Sequence, residues 1–146
     1  MNALPSAAPS STRSSRVPML AGLRVLLLSE ALLGVALTVF FSLLAAGARD
    51  LVGGDPGRET ETAIRFAAGG ALIWAIFAAV AARGARRRRA WAWTMAAVLQ
   101  LVLVIGTGVA VMVADWHPFY LVGFAIGAVV MLVLSSGTVR RELGQA

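Results

Sequence analysis

Four apolar runs of roughly twenty residues alternate with short polar segments along the chain. They are VLLLSEALLGVALTVFFSLLAA (Val25 to Ala46), AIRFAAGGALIWAIFAAVAA (Ala63 to Ala82), AWAWTMAAVLQLVLVIGTGVAVMVA (Ala90 to Ala114) and PFYLVGFAIGAVVMLVLSS (Pro118 to Ser136). A helix of about 20 apolar residues crosses a hydrocarbon layer about 30 Å thick. The runs are continuous and lack period-two alternation, so they do not read as half-buried strands. In lipid a backbone must satisfy its polar groups within its own segment, which selects helix. The pattern predicts an all-α, four-transmembrane-helix bundle with helices at about 25–46, 63–82, 90–114 and 118–136, inside a domain spanning 19–143. Residues 1–18, MNALPSAAPSSTRSSRVP, hold too little apolar surface to fold and are expected to form a disordered cytoplasmic tail.

The connections fit this division. GARDLVGGDPGRETET, residues 47–62, has Gly-Gly, Asp-Pro and Pro-Gly breakers with mixed charge and reads as a solvated loop. Glu61 and Arg65 stand four apart, a spacing that allows an ion pair on a helix. DWHPFY is a tight connection, with Pro118 suited to the first turn of the fourth helix. The sequence AGA at Ala46 to Ala48 resembles a signal-peptidase site. The apolar run before it exceeds the usual ~7–15 residues and contains Glu30, so cleavage is not expected.

Charge orients the helices. With both termini inside, ten arginines face the cytoplasm (Arg13, Arg16, Arg24, Arg83, Arg86, Arg87, Arg88, Arg89, Arg140 and Arg141), against three outside (Arg49, Arg58 and Arg65). Short loops are where such asymmetry has most force, and it predicts a multi-pass protein of the bacterial plasma membrane with N- and C-termini cytoplasmic. Arg83, Arg86, Arg87, Arg88 and Arg89, with Trp91 and Trp93 in the adjoining aromatic belt, form a topology anchor. The same cluster suits anionic lipid headgroups at the cytoplasmic face. A short loop held against a membrane is poorly placed for nucleic acid, and no nucleic-acid partner is expected.

Composition narrows the chemistry. Hydrophobic residues make up 59% of the 146 and charged residues 14%, against about 45–50% and about 25% in soluble domains. The pI of about 11.7 comes wholly from arginine. Cysteine is absent, excluding disulfides, thiolate catalysis and iron–sulfur ligation. The single His117 cannot form a multi-histidine metal site, and Asp115 beside it makes no cluster. IGTGV at 105–109 lies mid-helix without a following lysine, so it is no phosphate loop. No serine has a visible histidine and acid partner. No catalytic residue, metal or cofactor is expected, and the chain reads as non-enzymatic.

Two polar residues intrude into the apolar runs. Glu30 lies about 5 residues into the first helix, or roughly 8 Å of rise at about 1.5 Å per residue. An acidic side chain in a bilayer costs several kcal/mol unless it is neutral, hydrated or paired. It is therefore either a carboxylate that exchanges a proton or cation, or a packing group paired with Arg24 or the inner arginines. Gln100 lies in the same half of helix three and is within the range of a shared hydrogen bond. The two form the candidate proton or cation site.

Small residues mark candidate packing faces. Glu30, Gly34, Thr38 and Ser42 recur every four residues in helix one, as do Ala67, Ala71, Ala75 and Ala79 in helix two. Gly123 and Gly127 form a GxxxG in helix four, continued by Met131 and Ser135. Close backbone approach at such residues drives helix association in lipid. The faces can meet within one bundle, in a homo-oligomer, or with a membrane-protein partner.

The stretch RGARRRRAWAWTMAAVLQLVLVIGTG, the ending AVVMLVLSSGTVRREL and the opening RVLLLSEALLGVALTV resemble uncharacterised four-helix integral membrane proteins common in actinobacteria. The likeness covers roughly residues 24–143. It implies four-helix topology and an envelope location, and no activity. A narrower resemblance is to the small multidrug resistance family, short four-helix proteins whose first-helix glutamate binds substrate cations or protons. Glu30 is the one position carried across. The chain departs in its long N-terminal tail, in the placing of Gly34 four residues after the glutamate, and in its third-helix aromatic pattern. The leading expectation is an accessory or scaffolding element packing through small-residue faces. The alternative is a small proton-coupled transporter using the intramembrane carboxylate Glu30.

Overall fold

The structure, a computed structural model, describes residues 16–145 except Gly53 and residues 114–117. The expected tail, apart from Arg16 to Pro18 in the first turn of α1, and Asp115 to His117 lie outside the described residues. Among the described residues five helices follow in order: α1 (Arg16–Val52), α2 (Gly54–Arg86), α3 (Ala90–Val113), α4 (Pro118–Ser135) and α5 (Gly137–Glu142). No strand occurs among the described residues. α1 packs along α2, α3 along α4, and the contacts of α2 with α3 and of α1 with α4 complete the ring. Met19–Ala48, Gly54–Arg86 and Ala90–Met112 are long and apolar enough to cross a membrane, and Tyr120–Ser135 is a shorter apolar helix. Large apolar side chains point outward along these helices, including Leu32, Leu43, Phe66, Met112 and Leu132. An apolar surface of that extent is what lipid, not water, covers.

The first two helices are much longer than the apolar pattern predicts. The expected loop 47–62 is nearly all helix, with α1 running to Val52 and α2 starting at Gly54. A heptad seam extends the pair. The inward positions of α2 are Gly57, Glu61, Ile64, Ala68, Ala71, Ala75, Ala78, Ala82 and Ala85, alternating steps of four and three. Those of α1 are Leu27, Ala31, Gly34, Thr38, Phe41, Ala45 and Ala48, with the same alternation. A 3.5-residue repeat keeps the seam facing its partner in a left-handed coil. Pro56 sits in the first turn of α2, where its missing N–H costs nothing. Ion pairs from Asp55 to Arg58 and from Glu61 to Arg65 (2.6 Å) run along the projecting part. The helices therefore end only at the Gly-Gly step, between Val52 and Gly54, and interhelical packing keeps the rest of the expected loop helical.

Glycine sets the closeness of the hairpin. A Cβ on Gly34 would lie 2.9 Å from Ala75 Cβ and 3.0 Å from the Ala71 carbonyl oxygen. One turn on, Thr38 Oγ1 donates to the carbonyls of Gly34 (2.8 Å) and, across the seam, Ala68 (3.5 Å). The expected four-residue rows hold only locally. Ser42 is exposed and bonds the carbonyl of Thr38 in its own helix; Ala67 and Ala79 are exposed too. Each step of four drifts about 40° round a helix of 3.6 residues per turn, so three steps leave the contact face.

The second hairpin packs likewise. A Cβ on Gly123 would meet Thr107 Oγ1 at 3.3 Å, and one on Gly127 would meet Val104 Cγ2 at 2.9 Å. The row then passes to buried Val130 and Leu134, while Met131 and Ser135 turn outward. At the α2–α3 turn, Arg88 adopts φ 50°. The Arg89 N–H reaches the Gly84 carbonyl (3.1 Å) and the Arg88 N–H reaches that of Ala85 (3.1 Å). This paired closure ends a helix at a left-handed residue.

The end of the bundle that carries the termini is closed. α5 folds back instead of trailing away, inserting Val139 and Leu143 among Leu23, Leu27, Ala82, Ala96 and Leu134. Glu142 pairs with Arg88 at 2.9 Å, and Gln145 Nε2 donates to the Ala90 carbonyl at 3.2 Å.

Candidate functional site

Glu30 and Gln100 meet in the bundle, immediately above this packed end. Leu27, Ala31 and Gly34 occupy the α1 seam against α2. Glu30, a step to one side, turns across the bundle towards α3. Glu30 is 5% exposed and Gln100 fully buried. Gln100 Nε2 donates to both Glu30 carboxylate oxygens, at 2.9 Å each. Gln100 Oε1 is shielded and accepts no hydrogen bond; it lies 3.6 Å from where a Cβ on Gly127 would stand. The tight contact at this glycine of α4 is with Val104 of α3, at 2.9 Å, and the amide lies at ordinary contact distance. An ion pair from Glu30 to Arg24 does not occur among the described residues, and Arg24 Nε is shielded and unpartnered.

Beyond the pair the two hairpins enclose a cleft of about 610 Å³, with Glu30 and Gly34 in its wall beside Leu37, Phe40, Phe41, Trp74, Leu103, Val122, Gly123 and Ile126. Apart from Glu30, the side chains lining it carry no polar group but the indole N–H of Trp74. A second crevice, of about 420 Å³, runs between α1 and α4 past Leu26, Ser29, Glu30, Leu33, Ala125, Ile126 and Val129. Glu30 lines both spaces. A carboxyl in this position can exchange a proton or hold a cation, since it is packed on one side and open to space on the other.

The arginine cluster is separate from this pair. Arg83, Arg86, Arg87, Arg88 and Arg89 are all exposed at the α2–α3 turn. Trp91 is 46% exposed and packs on Gly84, where an added Cβ would meet its ring at 2.6 Å. Trp93 has an internal role: its Nε1 donates to the Leu134 carbonyl at 3.0 Å, tying α3 to α4. No group of three metal-ligating side chains occurs among the described residues. The aromatic wall of Phe40, Phe41 and Trp74 was not singled out from sequence; their hydrophobicity hid them among lipid-facing residues. Comparison with known protein families, with curated proteins and with solved structures found no match.

Proposed function

We propose that the chain is a small, non-enzymatic membrane carrier in which Glu30 exchanges a proton for a cation inside the bilayer. The observation that carries this proposal is the buried Glu30–Gln100 pair at the closed end of an apolar cleft. An intramembrane carboxylate is costly, and such residues commonly lie on ion or proton paths. The hydrogen-bond inventory supports exchange. A protonated Glu30 would offer an O–H donor next to an amide whose buried oxygen has none. The scaffolding alternative needs small-residue faces free for a partner. Gly34, Gly123 and Gly127 are each filled by a neighbouring helix of the same chain, which leaves that alternative the open faces at Gly69, Gly70, Gly106 and Gly108.

The carrier is placed in the bacterial plasma membrane with four spans and both termini cytoplasmic, on the strength of the ten-to-three arginine asymmetry. The exposed arginine turn is its anchor to that face and its contact with anionic lipid. Reaction with a membrane-soluble carbodiimide, which attacks protonated carboxyls, tests the site without knowledge of the ligand. Mass analysis is expected to find the adduct on the Glu30 peptide, with a rate that falls as pH rises. No adduct there, or a rate indifferent to pH, sinks the proposal.

A further inference from the structure

A lipid-facing groove between α2 and α3 runs up to the arginine turn, and the two together have the shape and charge of a lipid site. We propose that one anionic phospholipid of the cytoplasmic leaflet binds there, with an acyl chain in the groove and its phosphate on the arginines at the mouth. This inference rests on the turn being in contact with anionic lipid, and adds a discrete one-to-one site to that contact.

The groove has a volume of about 630 Å³ and is walled by Phe77 of α2 and by Trp91, Val98 and Val102 of α3, all of them exposed. Gly70 lines the end farthest from the turn, where an added Cβ would meet nothing within 4 Å. Trp91 lines the near end and packs on Gly84. From Trp91 to Val102 the helix rises about 16 Å at about 1.5 Å per residue. One leaflet contributes about 15 Å to a hydrocarbon layer about 30 Å thick. The groove therefore spans one leaflet, which is the reach of a single acyl chain.

The mouth of the groove carries unanswered charge. Arg88 pairs with Glu142 at 2.9 Å, whereas Arg83, Arg86, Arg87 and Arg89 are exposed and enter no ion pair among the described residues. Arg83 adjoins Gly84, on which Trp91 packs, and Arg87 stands one turn beyond Arg83. A guanidinium offers a fork of N–H donors that matches phosphate oxygens. A zwitterionic lipid would bring its own cation to this mouth; an anionic lipid brings none. Thr94, in the same groove, supplies a polar contact below the phosphate. Its hydroxyl makes no hydrogen bond among the described residues, unlike those of Ser29, Thr38 and Thr107, which each donate to a carbonyl of their own helix. The Ala90 carbonyl, four residues back, already accepts Gln145 Nε2 at 3.2 Å. That leaves the Thr94 O–H for an ester oxygen of the lipid.

The test is native mass spectrometry of the full chain, titrated in detergent with phosphatidylglycerol and with phosphatidylcholine of the same acyl chains. One phosphatidylglycerol per chain is expected to be retained, roughly tenfold or more tighter than phosphatidylcholine, since each arginine engaged contributes a factor of about five. Arg83→Gln with Arg87→Gln should remove that preference. Arg140→Gln with Arg141→Gln takes the same charge from the same face and should leave it nearly unchanged. Gly70→Leu, filling the groove from α2, and Val98→Trp, filling it from α3, should each weaken retention of phosphatidylglycerol. Equal retention of the two lipids by the wild type overturns both the site and the anionic contact it rests on. A preference that falls equally with either arginine pair, and that Gly70→Leu and Val98→Trp leave intact, overturns the groove site alone and leaves a diffuse attraction of anionic lipid to that face.

Discussion

Gly34→Ala should loosen the long hairpin, and its cost can be worked from the contacts. The added methyl would sit 2.9 Å from Ala75 Cβ, 3.0 Å from the Ala71 carbonyl oxygen and 3.2 Å from Ala75 Cα. Carbon atoms prefer separations of about 3.5–4.0 Å, so α1 and α2 must part by roughly 0.6–1 Å. The obstructing atoms are backbone and Cβ, so no side-chain rotation can relieve them. Overpacking of this kind costs about 1–3 kcal/mol. Replacing glycine by alanine in a helix returns about 0.8–1 kcal/mol. The net loss is therefore about 0–2 kcal/mol, and a control is needed to expose the clash. Gly69→Ala in α2 is that control, because a Cβ there meets nothing within 4 Å. Unfolding in mixed micelles with rising SDS fraction should separate the two variants by about 1–3 kcal/mol, the whole overpacking term. Adding Ala75→Gly to Gly34→Ala removes the 2.9 Å contact and should return part of the loss as a coupling energy. Equal stability of Gly34→Ala and Gly69→Ala, with no coupling to residue 75, would refute the close seam.

Gly84→Ala should cost a net of about 0–2 kcal/mol by the same balance and shift tryptophan fluorescence, since its methyl would meet the Trp91 ring at 2.6 Å and Ala92 Cβ at 2.8 Å. Gln100→Leu deprives the buried Glu30 carboxyl of its hydrogen-bond partner; micelle unfolding should show a loss of about 1–3 kcal/mol, and adding Glu30→Leu should return most of it. Trp93→Phe removes the donor to the Leu134 carbonyl and should cost about 0.5–1.5 kcal/mol in the same assay. Amide exchange followed by mass spectrometry should find residues 57–62 protected, because these residues are helical and Gly57 and Glu61 hold the segment to the seam. Exchange at loop rates there would contradict the extended hairpin.

The apolar spans were legible because length and continuity are strong signals, and because a membrane leaves the backbone few choices. Glu30 and Gln100 were legible for the same reason: each is a polar exception in an apolar run, and both lie towards one end of the bundle. The projecting hairpin was hidden by its own composition. Gly53, Gly54, Asp55 and Pro56 form a strong turn signal, and only the seam positions Gly57, Glu61 and Ile64 carry the heptad past it. Rows read at intervals of four found Gly34 and Thr38 but ran on to Ser42 and Ala79, where the drift of the helix had already turned them outward. α5 was missed because Val139 and Leu143 are too few to show a period. Their burial depends on Leu23, Leu27 and Leu134, far away in sequence.

The central claim is that Glu30 changes protonation inside the bilayer. Infrared difference spectra of the protein in nanodiscs, recorded between acidic and alkaline buffer, observe that carboxyl directly. The predicted result is a protonated-carboxyl band that comes and goes with pH in the wild type, is absent from Glu30→Gln and changes frequency in Gln100→Leu as its hydrogen bond is lost. Identical difference spectra for wild type and Glu30→Gln would contradict it, leaving Glu30 as a packing group with no part in exchange.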